Sequence, residues 1–230
     1  MRMLPSSLLA VTDRHGHPRP LAETVQAILD GGGRWIWFRD RDLEPDGRLR
    51  LGEAVAGRVR AAGGILTVGG DVVLARALDA DGVHLGGGSG AEAIAAARDA
   101  LGAGTLIGVS AHAPQEVAQA AAAGADYVTL SPIFPTSSKP GYGPALGLEG
   151  IVAARRTGLP VVALGGIGSD RVAECRDAGA SAVAIMGELM RTGDPAGAAR
   201  ALLEAWEEQG PQNPDGKRAR RDIHRCSPQG

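Results

Sequence analysis

At 230 residues, with 44% hydrophobic and 22% charged side chains, the chain has apolar material for one large core and lacks the low-hydrophobicity, high-charge signature of a disordered protein. A formal net charge of -2 gives no global attraction to nucleic acid, and the two cysteines, Cys175 and Cys226, stand in no CxxC pair or zinc-ligand spacing, which points to a reducing, cytoplasmic setting. The opening MRMLPSSLLAV is too short an apolar run for a signal peptide or membrane helix, so no membrane association is expected.

Short runs of Val, Ile and Leu alternate with Ala-rich stretches of helical period, the pattern of parallel strands joined by crossover helices. Strands are predicted at LLAVT from Leu8, WIWFR from Trp35, ILTV from Ile65, GVHL from Gly82, LIGVS from Leu106, YVTLS from Tyr127, VVALG from Val161 and AVAIM from Ala182. Helices are predicted to begin near Leu21, Leu51, Val72, Ala91, Pro114, Leu148, Asp170 and Pro195. Ser89 and Ser169 are expected to cap the fourth and seventh of these, and Gly102, Gly124, Gly158 and Gly179 to close helices in a left-handed conformation. Eight such units define an α/β protein, a single (β/α)8 TIM barrel over residues 1–208; a doubly wound open sheet is the arrangement expected if one or two strands fail. Residues 209–230 carry Pro, Gly and charge without apolar periodicity and are expected to form a polar, basic, disordered tail, its KRARR run a solvated charge cluster, with a nucleic-acid or acidic-membrane contact as the alternative.

Active sites of this fold lie at the C-terminal ends of the strands. After the seventh strand comes Gly165-Gly166, and at the end of the eighth Met186-Gly187. Glycines let backbone amides approach an anion closely, so the two turns together are expected to form a phosphate cup, with simple tight turns as the alternative. The sixth strand leads into a long Pro/Gly-bounded loop, Ser131 to Gly143, in which Thr136 and Ser138 stand beside Lys139, a composition suited to clamping an anion. Side chains alternate along a strand, so Trp35, Trp37, Arg39 and Arg41 share a face; the two arginines are candidate polyanion binders, unless they pair with Asp40 or Asp42. His84 and His112 end strands near the same mouth and are candidate acid/base groups, although a buried hydrogen-bonded imidazole is the commoner use. His15 and His17 form an HxH pair with no third ligand in sight, so no metal is assigned there.

These segments also carry a resemblance. VTDR from Val11, FRDR from Phe38, GVHLG from Gly82, GVSAH from Gly108, PIFPTSSK from Pro132, ALGGI from Ala163 and AIMGEL from Ala184 resemble, in order and spacing, the thiamine phosphate synthase and thiazole tautomerase (TenI) family, over nearly the whole chain up to the tail. The resemblance implies a small-molecule partner, a hydroxyethylthiazole phosphate. Its phosphate would lie on Gly165, Gly166, Met186 and Gly187, its ring side on Thr136 and Ser138. Arg39, Arg41, Ser110 and Lys139 would face the diphosphate of a pyrimidine, and His84, His112 and Lys139 are the candidate catalytic groups. The oligomeric state is left open.

Two departures decide the branch expected. Where the synthase usually reads V-N-D-D, this chain has Val68-Gly69-Gly70-Asp71, and where it usually reads G-Q-x-D it has Gly86-Gly87-Gly88-Ser89, so both usual magnesium carboxylates are missing. Trp37 replaces a glutamine for the pyrimidine. The loss of one half with the phosphate half retained implies a tautomerase-like isomerase with no cofactor. The histidine often used by that branch would fall at Pro132, which leaves His84, His112 or the substrate's own carboxylate for the proton transfer. The alternatives are a thiamine phosphate synthase holding Mg2+ through Asp71 and the diphosphate, and a non-catalytic barrel binding a phosphorylated ligand.

Overall fold

The computed structural model describes residues 3–136 and 144–208. Ser138 and Lys139, and the tail expected over 209–230, lie outside the described residues.

Eight strands form one closed parallel barrel in sequence order: β1 Leu8–Val11, β2 Trp35–Phe38, β3 Ile65–Gly69, β4 Gly82–Leu85, β5 Leu106–Ala111, β6 Tyr127–Leu130, β7 Val161–Leu164 and β8 Ala182–Ile185, with β8 pairing back to β1. The fold is the (β/α)8 barrel expected, and the open-sheet alternative is excluded by that closure. Alternation sorts each strand into two populations. Leu9, Val11, Trp35, Trp37, Tyr127, Val162 and Ala184 fill the barrel interior as one cluster, while Leu8, Ala10, Ile36, Phe38, Val83 and Val128 face outward into the larger cluster shared with the helices.

The helices are α1 Leu21–Asp30, α2 Pro45–Ala61, α3 Val72–Ala77, α4 Ala91–Leu101, α5 Pro114–Ala122, α6 Gly147–Ala154, α7 Val172–Ala178, α8 Gly187–Met190 and α9 Pro195–Glu207. Three differences from expectation have local causes. Helix α2 starts at Pro45 and not at Leu51, because proline at the first helical position and Asp46 in the first turn begin a helix whose opening PDGRLR is too polar to show apolar period. The fourth helix is capped by Gly90 rather than Ser89, and α7 by Arg171 rather than Ser169, neither with a side-chain cap. Finally, α8 is a four-residue helix between the eighth strand and α9. Gly102, Gly124, Gly158 and Gly179 all have positive φ, with Gly158 and Gly179 in the left-handed helical conformation and Gly102 more extended at ψ 158°.

Among the described residues no helix is long and apolar enough to cross a membrane.

Candidate active site

The C-terminal ends of the strands enclose a cavity of about 600 Å³, within the range of small-molecule sites. Its walls bring together Arg39, Arg41, Ser110, His112, Thr136, Gly165, Gly166, Met186 and Gly187, nine of the residues singled out from the sequence.

One wall is made of backbone. Gly165 and Gly166 have φ of +102° and +65°, and a Cβ on Gly166 would lie 2.5 Å from the Pro135 carbonyl oxygen, so both conformation and space demand glycine. The turn is held from behind: Phe134 N donates to Gly165 O (2.9 Å), and the Arg171 guanidinium donates to Gly166 O (3.2 Å) while lying 4.5 Å above the Phe134 ring. Gly187 opens α8, and one turn on, Arg191 folds back against it and lines the same cavity. Arg191 was not anticipated from the sequence; a residue four beyond Gly187 meets it only if a helix starts there, and four residues show no periodicity. Glu188, also on this wall, accepts from Ser169 N at 3.2 Å.

The opposite wall is made of side chains. Arg39 and Arg41 stand above β2, and the acids that were candidates to neutralise them are engaged elsewhere. Asp40, buried, accepts from Thr12 Oγ1 (2.5 Å) and Arg14 N (2.7 Å), whereas Asp42 pairs with Arg14 (2.7 Å) and His15 (2.9 Å). Asp71 caps α3 by accepting from Leu74 N (2.9 Å) and pairs with the buried Arg48 (2.8 Å), whose other nitrogen donates to Gly69 O (2.9 Å). Both guanidinium groups therefore make no ion pair among the described residues. Burial first, then the charges of Arg39 and Arg48, lower the pKa of Arg41 from its ordinary value.

Trp37 lines the cavity, its ring 4.0 Å from the ring of His84 beneath. His84 does not reach the cavity wall. It is fully buried one layer down, bonded through Nδ1 to Tyr127 Oη (3.0 Å) and through Nε2 to Ser110 Oγ (3.1 Å) and Thr129 Oγ1 (3.2 Å). Burial, helped by Arg41 and Arg39, pulls its pKa down to about 3, so the ring is neutral at physiological pH. It holds Ser110, which does line the cavity. His112, by contrast, is on the wall. Its Nδ1 lies 2.8 Å from the Ser131 carbonyl, which can only accept; Nδ1 therefore carries the proton of the neutral ring and the lone pair is on Nε2.

The donor set does not fit a hard divalent cation. Among the described residues no three His, Cys, Asp or Glu side chains come together as a metal site. Gly70 and Ser89 bring no carboxylate, Asp71 is committed to its cap and to Arg48, and the only carboxylate on the cavity wall among the described residues, Glu188, belongs to the glycine side.

Residues 8–189 match the family model described as thiamine monophosphate synthase. The chain is 40% identical over 196 residues to a thiamine-phosphate synthase of Chromobacterium violaceum, covering 85% of this chain and 93% of that protein. It is 39% identical over 198 residues to one of Roseiflexus castenholzii, covering 84% and 85%. Among solved structures, a thiamine phosphate pyrophosphorylase from Pyrococcus furiosus superposes with a TM-score of 0.77 at 29% identity, over 87% of this chain and 95% of that one.

Proposed function

Since the chain belongs to the thiamine monophosphate synthase family, we propose that it joins a pyrimidinylmethyl diphosphate to a thiazole phosphate to give thiamine phosphate and diphosphate. The observation that carries this reading is the pairing, across one cavity, of a glycine-built backbone wall with two guanidinium groups that make no ion pair among the described residues. Two anionic stations suit a reaction between two phosphorylated substrates. The family relatives named as synthases support it over the isomerase expected from the missing carboxylates.

In this reading the thiazole phosphate takes the amides around Gly166 and Gly187, with Thr136 beside its ring. The diphosphate lies against Arg39 and Arg41. The pyrimidine C–O bond breaks with its electron pair leaving on diphosphate, where the two guanidiniums and the Ser110 hydroxyl stabilise the developing charge. The thiazole nitrogen then donates its lone pair to the methylene carbon. That nitrogen carries no proton and becomes quaternary, so the step needs no general base. A neutral, sequestered His84 is compatible with such chemistry as a residue that positions Ser110.

A second reading, a thiazole tautomerase, draws on His112, whose Nε2 lone pair and place on the cavity wall suit proton transfer on a carboxylated thiazole phosphate. Turnover with the pyrimidine diphosphate and thiazole phosphate, run beside the carboxylated thiazole tautomer alone, separates the two. Thiamine phosphate as product is expected; isomerisation without coupling would replace the synthase reading by the second, and ligand binding without turnover in either assay would leave a non-catalytic barrel.

A further inference from the structure

The feature that the proposed reaction leaves unexplained is how a diphosphate is neutralised on a wall without carboxylates for magnesium. The geometry of β3 gives an answer. A Cβ on Gly69 would lie 2.9 Å from Trp37 Nε1, and a Cβ on Gly70 would lie 2.5 Å from Arg41 Nη2. A carboxylate on Gly70, where the family usually has one, would overlap the Arg41 guanidinium. The two glycines are thus the space into which Trp37 and Arg41 are packed, and the cation on this wall is an arginine.

We propose that Arg41 takes the place of a divalent cation, so that the site binds diphosphate as the metal-free anion, held between Arg41 and Arg39. Three further observations support it. Asp71, next to these glycines, is bonded to Arg48 and Leu74 and makes no ion pair with Arg41, so it offsets the positive charge on this wall only in part. The crowding of Arg39, Arg41 and Arg48 that makes Arg41 easier to deprotonate is relieved by a bound anion. A guanidinium also presents a planar fork that matches phosphate oxygens and, unlike a metal ion, requires no carboxylate to hold it. The inference rests on the reading of this wall as a diphosphate station.

The test is calorimetric titration of the full chain with inorganic diphosphate, in EDTA and in excess Mg2+. Binding in EDTA is expected, with an affinity that added Mg2+ leaves unchanged or weakens, because the metal neutralises the ligand. Arg41→Met, a change at an exposed side chain, should weaken metal-free binding at least about ten-fold, the loss of one or more charge-assisted hydrogen bonds. Gly70→Asp should do the same by pushing the exposed Arg41 guanidinium off the wall and neutralising it; aspartate is among the side chains best tolerated at positive φ, so the variant is expected to fold. Inorganic phosphate binding at the glycine cup should survive both changes and serves as the control for folding. Binding that appears only with Mg2+, no binding in either condition, or an Arg41→Met variant of unchanged affinity would each overturn the proposal. Metal-free diphosphate binding without coupling turnover would refute the synthase reading and leave this one standing, while coupling that strictly requires Mg2+ would do the reverse.

Discussion

The two walls of the cavity are built by opposite means. The wall from β7 and β8 is backbone: its shape is set by Gly165 and Gly166 at positive φ, and the loop from β6 is bonded against it. The wall from β2 and β3 uses side chains, and its glycines at 69 and 70 serve only to clear room for Trp37 and Arg41. Backbone donors are fixed by the fold and tolerate little change in sequence, whereas a side-chain wall can exchange one kind of cation for another by a few substitutions. The wall that keeps its family motif is the backbone one, and the wall that departs is the side-chain one.

The strongest attempt to break this contrast is Gly166→Val. A β-branched residue at φ +65° that also meets the Pro135 carbonyl should lower affinity for a thiazole phosphate by about 100-fold or more, with far-ultraviolet dichroism showing the barrel intact. Arg39→Met strikes the other wall. It should cost about ten-fold in kcat/KM for the pyrimidine diphosphate, in line with one charge-assisted hydrogen bond, and leave the KM for the thiazole phosphate unchanged.

A third change addresses the floor beneath both walls. The His84 pKa in the folded protein, about 3, lies below its ordinary value of 6.5, so below pH 6.5 the unfolded chain takes up a proton that the folded one refuses. Stability should therefore fall as the pH drops from 6.5 towards 3, at no more than about 1.4 kcal/mol per pH unit from this group, and the dependence should end below 3. His84→Asn, which cannot charge, should flatten that part of the curve in urea titrations at stepped pH. The smallest effect is expected at Glu188, whose carboxylate sits on the glycine-built wall and engages Ser169 N. Glu188→Gln should tighten inorganic phosphate binding by about two- to five-fold in low salt, an advantage that 1 M salt erases.

Most of the barrel is legible in the sequence because each strand states its own pattern: a short buried run ended by a glycine or polar turn. The starts of α2 and α8 were not, since the polar opening from Pro45 and a helix of only four residues carry no period to detect. The site divides along the same line. Two glycine turns at the seventh and eighth strands mark one wall of the cavity directly, and alternation along β2 is enough to put Arg39 on the face of Trp37. What alternation cannot give is depth. It turns His84 towards the axis as expected, but the β4–β5 register sets it beside Gly108, a layer below Ser110, where the missing side chain leaves room for the ring. Depth depends on the stagger of the closed barrel, a property no single strand contains. The same holds for Arg48, which reaches Asp71 and Gly69 only once α2 and β3 are assembled.

The chain has three tryptophans, and the barrel has drawn two of them inside, Trp35 in edge contact with Tyr127 and Trp37 on the cavity wall. The indole of Trp37 rests on an imidazole that stays neutral until about pH 3, so no change in that neighbour's charge disturbs its light across the working range. The protein thus carries its own optical probe: a ligand entering the cavity should alter Trp37 emission directly, without any label, while buried Trp35 supplies a steady background.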